Sequence, residues 1–170
     1  MENNSSIKDL FEQVLGFNVE NMDINKFYDV RHLNVGIKSF NHSSNEIEYN
    51  LINKIVRKKD SDKFIIKGEG FEFGTSANHK LLIKIHLNKK EYYEEVETIV
   101  DLLKIQPVYV LDEDANWVEL DSITKDGTTQ ILDLEVDKTN NYFSNGILSH
   151  NTIYGNPEVT TGGNALKFFS

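Results

Sequence analysis

Asn145-Gly146 stands between two short runs, NYFS at 141–144 and ILSH at 147–150, and this dipeptide constrains the chain more than any other feature. A two-residue type I′ hairpin needs positive φ at both central positions, which Asn-Gly supplies at low steric cost. Such a turn also sets the register. Counting outward, Ser144 opposes Ile147, Phe143 opposes Leu148, Tyr142 opposes Ser149, Asn141 opposes His150 and Asn140 opposes Asn151. Polar side chains are thereby gathered at the open end of the hairpin, where His150, Asn151 and Thr152 are consecutive.

The rest of the chain reads the same way. It has only 2 prolines, both late, and is rich in β-branched and aromatic residues. VGIKSF at 35–40, EIEYNLINKIV at 46–56, KFIIKGEGFEFGTS at 63–76 and LLIKIHL at 81–87 are separated by polar breaks such as NHSSN and RKKDSD, as in a series of hairpins. PVYVL, NWVELDSI, TQILDLEV, NNYF and GILSHN continue the pattern to about Asn151. In NKKEYYEEVETIVDLLKI a strand passes into a short helical turn. Arg57, Lys58 and Lys59 read as a solvated turn between strands, with a basic binding patch as the alternative. One helix opens the chain: Ser6 and Asp9 form a capping box, Ile7, Leu10, Phe11, Val14 and Leu15 share a face, and Gly16 closes it. After Asn151 the alternation stops, and the Gly-, Thr- and Asn-rich remainder reads as a flexible tail.

The 170 residues suffice for one ordinary domain with appendages. Lys plus Arg number 18 against 27 Asp plus Glu, a net charge of −9, which opposes a surface built to neutralise phosphates. With no cysteine there is no disulfide, thiolate metal site or cysteine nucleophile in the chain. The opening MENNSSIKDLFEQ has neither the basic nor the apolar region of a signal peptide, so a cytoplasmic location is expected. His79 and His86 are an odd number of positions apart on an apparently continuous strand and should face opposite ways, so a shared metal is not expected. His32 and His42 sit in unpatterned segments.

The triplet at 150–152 carries a specific chemistry. An Asn side-chain nitrogen can attack its own carbonyl carbon, closing a five-membered ring and breaking the next peptide bond when a neighbouring group moves the protons. His150 can be that group, Asn151 the cyclising residue, and Thr152 a hydroxyl nucleophile.

ILDLEVDKTNNYFSNGILSHNT resembles the carboxy-terminal splicing motifs of inteins, where a DLEV-type strand leads through an NYF-x-NGI hairpin to a terminal His-Asn followed by Ser, Thr or Cys. GTSANHKLLI is similar to their upstream Thr-x-x-His block, with His79 at the His position, Ser76 where Thr is usual and Asn78 an accepted neighbour. The resemblance implies an all-β, horseshoe-like Hint fold with a short N-terminal helix, incomplete without its N-terminal strands. It implies that His79 assists the first acyl shift at the upstream junction and that Ser76 helps polarise that peptide. Asp133 would assist transfer and downstream cleavage. His150 and Asn151 match the penultimate His and the cyclising Asn, and Thr152 the acyl acceptor. Asn140 stands where the family often has His, and a hydrogen-bonding role is expected there.

Inteins begin with a Cys or Ser nucleophile in a motif that MENNSS does not match, and Ser5 and Ser6 are better read as helix N-cap positions. The resemblance therefore implies a carboxy-terminal fragment of an atypically split intein, residues 1–151, with an artificial truncation as the second reading. Its partner would be a short, separate N-terminal fragment carrying the Cys or Ser nucleophile. The fragment would act once per molecule, without cofactor or metal. Residues 152–170, with GNPEVTTGGNALKFFS, are similar to a segment of phage RecA-like recombinases and would open the host protein; no phosphate loop is present. Two other classes stay open on the residues alone: a small recombination or DNA-binding module, and a non-catalytic β scaffold.

Overall fold

A computed structural model describes residues 2–5, 7–16, 18–150, 152–154 and 164–169. The architecture is antiparallel β throughout the paired strands. In chain order the elements are β1 (Glu2–Ser5), α1 (Ile7–Leu15), β2 (Phe27–Asp29), β3 (Val35–Asn41), β4 (Glu46–Gly68), β5 (Phe71–Ser76), β6 (Lys80–Ile85), β7 (Glu91–Glu95), α2 (Val96–Leu103), β8 (Val108–Leu111), β9 (Trp117–Val136), β10 (Asn141–Ser144), β11 (Ile147–His150), β12 (Thr152–Tyr154) and β13 (Asn164–Phe168). Neighbouring strands follow the order β1-β13-β3-β4-β9-β8-β6-β11-β10, with β2 and β5 on β4, β7 on β6 and β12 on β9.

The β10 end of this path returns to β3. Asn141 on β10 accepts a hydrogen bond from the Phe40 N–H at 2.9 Å and donates one to the Phe40 carbonyl at 2.9 Å, so a buried side chain does the work of a backbone pair between β10 and β3. The expected horseshoe of strands is the fold observed.

β4 and β9 span both halves of the molecule. Their ladder shifts register between Ile52 and Lys54, Lys58 and Ser61, Asp62 and Phe64, and Lys67 and Gly68. Bulges of this kind bend a strand without ending it. Here the sequence reading is corrected: RKKDSD is the bulged middle of β4, and NWVELDSI and TQILDLEV are one strand. Polar residues do not break a strand that β9 still pairs at Arg57, Lys58, Ser61 and Asp62.

Two apolar clusters result. One gathers Val35, Ile37, Ile52, Leu132, Leu134 and Leu166, and the other Ile66, Phe73, Leu81, Ile83, Val96 and Ile99. A smaller cluster of Phe40, Leu82, Leu111, Phe143 and Leu148 lies under the hairpin. Gly16 has φ +78° and its N–H donates to the Glu12 carbonyl at 3.1 Å, ending α1 as expected. Ser6 lies outside the described residues.

Residues 152–154 pair with β9, and residues 164–168 lie between β1 and β3, with Leu166 1% exposed. Gly36 permits this approach, because a Cβ there would collide with the Phe169 ring. These strands find hydrogen-bond partners at sheet edges that composition does not reveal.

Candidate active site

The hairpin holds the downstream residues. Asn145 has φ 54° and Gly146 φ 80°, both positive as a type I′ turn requires. The pairs are Asn141 with His150, Tyr142 with Ser149, Phe143 with Leu148 and Ser144 with Ile147, the register counted from the sequence. On its other side β11 pairs with β6, placing His150 opposite Lys80 and Ser149 opposite Leu81. The strand that ends in His150 therefore lies beside the strand that follows His79.

His79 ends the turn after β5 and is 1% exposed. Its N–H donates to the Ser76 carbonyl at 3.3 Å. The turn is locked by α2, whose first N–H groups have no partners within the helix. The Val96 N–H donates to the His79 carbonyl at 2.8 Å and the Glu97 N–H to the Ala77 carbonyl at 2.9 Å. Burial of Val96 and Ile99 holds the helix against the sheet, so α2 positions His79.

The His79 Nε2 lies 3.0 Å from Ser149 Oγ. Burial, with the charge of His150 acting in the same direction, holds the His79 imidazole far below the ordinary histidine range, at about 3. At neutral pH it is an uncharged ring with one donor nitrogen and one acceptor nitrogen. The His150 imidazole is also lowered, first by burial and then by Lys80.

Ser76 is fully buried, and its hydroxyl donates to Asn78 Oδ1 at 2.8 Å. Asn78 in turn lines an open cleft of about 460 Å³ together with Asp133, Ile131, Lys58, Lys59 and Ser61. Asp133 is half-buried on β9, between Val56 of β4 and Thr152 of β12, each directly opposite it. Asn140, in a left-handed turn conformation at φ 54°, shares a smaller cleft of about 200 Å³ with Asp133. Asn151 lies outside the described residues, so its predicted position across from Asn140 is not described.

Tyr93, which the sequence reading passed over, links His150 to Asn141 and His42. The Tyr93 ring meets the His150 ring edge-on, with centroids 5.3 Å apart. Asn141 donates to the Tyr93 hydroxyl at 3.1 Å, and His42 Nε2 lies 2.8 Å from the same oxygen. Burial pushes the Tyr93 phenol up to about 12, so it is a neutral donor and acceptor throughout the working range. His42, expected to be unpatterned, thus belongs to this network. His86 is exposed and lies beyond the end of β6, and His79 precedes its start, so the argument from opposite faces of one strand does not apply to them. These groupings join residues far apart in sequence, where spacing carries no spatial information.

Solved structures share this architecture. The PabCDC21-1 intein superposes with a TM-score of 0.61 at 14% identity, covering 85% of this chain and 86% of that one. The Mvu mini-intein of transcription factor IIB gives a TM-score of 0.62 at 16% identity over 84% and 87% of the two chains. The DnaB intein from Synechocystis sp. PCC 6803 gives 0.55 at 19% identity over 69% and 79%. No protein-family model and no curated protein matches the sequence. The fold defined by the strand order and by the hairpin is that of the Hint class. Within it, the similarity is to inteins. No helix among the described residues is long and apolar enough to cross a membrane.

Proposed function

We propose that the chain is the carboxy-terminal part of a split intein that performs protein splicing in trans, in the cytoplasm of a bacterial or phage-infected cell. The observation that carries this reading is the register of β12 on β9, with Asp133 directly opposite Thr152 and His150 two residues upstream of that threonine. An acyl acceptor beside a carboxylate and a hairpin ending in His is an arrangement suited to transfer followed by Asn cyclisation.

A partner's Cys or Ser side chain attacks its own preceding carbonyl, with His79 moving the proton at that junction and Ser76 and Asn78 supporting the turn, giving a thioester or ester and a free amine. The Thr152 hydroxyl attacks that carbonyl, assisted by Asp133, and the partner's nucleophile leaves with a proton. The Asn151 side-chain nitrogen then attacks its own carbonyl carbon, with His150 moving the protons; the 151–152 peptide bond breaks, leaving a succinimide and a free Thr152 amine. That amine attacks the ester, and an O-to-N shift restores an amide. Asn140 supplies a hydrogen bond near the ring closure. Residues 152–170 are the start of the host, whose GNPEVTTGGNALKFFS resembles a recombinase segment.

The partner is a short N-terminal fragment, and the acidic chain favours a basic one. It is expected to pair near VGIKSF and the NYF to GIL hairpin. At residues 35–37 the edge of β3 is taken here by β13, with Leu166 opposite Ile37 and Phe168 opposite Val35, so a partner strand that pairs there displaces the chain's own downstream strand.

The test mixes the chain with candidate N-terminal fragments fused to a marker and follows intact mass. Marker joined directly to Thr152, with residues 1–151 released as a C-terminal succinimide or its hydrolysis product, is the expected result. Tight complexes that give no joined product across matched partners, with Thr152→Ala behaving like the unmodified chain, would overturn it in favour of a non-catalytic scaffold.

A further inference from the structure

The structure assigns to Ser149 the role of a positioning residue that fixes which nitrogen of His79 carries the proton. Ser149 is fully buried on β11, so water does not compete for its hydroxyl. That hydroxyl has one hydrogen and faces two groups: the Ile147 carbonyl at 3.4 Å and His79 Nε2 at 3.0 Å. A carbonyl oxygen only accepts. Both contacts are hydrogen bonds at once only when the hydroxyl hydrogen goes to Ile147 and the Ser149 oxygen accepts from an Nε2–H. A neutral imidazole has one proton, so Nδ1 is left as its base.

Two features hold the arrangement. The backbone of His79 is anchored by the α2 N–H groups, and Ser149 is anchored by pairing with Tyr142 on one side and Leu81 on the other. These pairings fix the two backbones from which the side chains meet. Ser149 also precedes His150, so one hydroxyl ties the histidine assigned to the upstream junction to the strand that ends at the downstream one. The catalytic use of Nδ1 rests on the splicing reading above, whereas the tautomer does not.

The experiment is ring-nitrogen NMR on the full chain labelled with ¹⁵N-histidine, which requires no partner and no splicing. The expected result is an Nε2-protonated His79 whose ring proton exchanges slowly, roughly tenfold or more faster exchange in Ser149→Ala, and restored protection in Ser149→Thr, with the His150 ring signals in place in all three. An Nδ1-protonated His79 in the unmodified chain overturns the assignment even where the variants fail to fold. So does undiminished protection in Ser149→Ala. A chain that shows the expected tautomer yet yields no joined product would leave this assignment standing and sink the splicing reading instead.

Discussion

Asp133 and Thr152 face each other across the β9–β12 ladder, and Asp133 is also paired on its other side with Val56. Directly opposed residues on antiparallel strands have Cβ atoms about 4.5–5.5 Å apart. A carboxylate at that position is within reach of whatever chemistry takes place at residue 152. On the proposed mechanism, Asp133→Ala slows transfer to Thr152 by roughly 10²-fold, the usual size of a lost proton carrier. The thioester or ester on the partner should then accumulate, as read by quenched intact-mass time courses; an unchanged transfer rate removes Asp133 from the mechanism.

Ring closure requires the Asn151 side-chain nitrogen. Asn151→Ala should abolish release of the segment beginning at Thr152. Free 152–170 peptide detected by mass spectrometry from this variant would rule out the assignment.

The depressed His79 imidazole makes a stability prediction with a definite sign. Its folded value is about 3 against 6.5 when unfolded, so between those pH values the unfolded chain binds a proton that the folded chain refuses. The stability that depends on a neutral His79 is complete above pH 6.5 and falls as pH drops toward 3, by up to about 1.4 kcal/mol per pH unit. Denaturant titrations of the unmodified chain and His79→Gln should differ in slope across this window. Parallel curves would show that the ring is solvated.

Asn141 satisfies both backbone groups of Phe40 and contacts Tyr93, so its loss strands buried donors and acceptors at the closure of the horseshoe. Asn141→Ala should cost roughly 2–4 kcal/mol, read from the shift in urea midpoint at unchanged slope. It should also broaden the His150 ring signals, because the Tyr93 ring packed against His150 loses a hydrogen-bond anchor.

Removing residues 164–170 should increase the association rate of an N-terminal fragment severalfold, since β13 no longer has to leave the edge of β3. Stopped-flow fluorescence measures this directly. An unchanged rate would place the partner's docking strand elsewhere.

The hairpin was legible in full because Asn-Gly sets both the turn type and the register, and register decides which side chains meet. The passage from β7 into α2 was legible from the spacing of Val96, Ile99 and Leu103. RKKDSD was misread because a bulged strand has no hydrophobic alternation to display. The network of Asn141, Tyr93 and His42 was invisible for a different reason: Asn141 and Phe40 are 101 positions apart, and His42 and Tyr93 51. Ser149 was counted in the register, but its hydroxyl acquires meaning only when β6 brings His79 alongside.

β4 and β9 each run through both apolar clusters, with Ile52 and Ile66 on the one and Leu132 and Leu120 on the other. Two such beams make the molecule behave like a single plank, not two plates bolted together. Loosening at the Asp133 end is then transmitted along the same covalent strand to the far end at Leu120. The chain should melt in one calorimetric step, and a protease nick inside either strand should release both halves together.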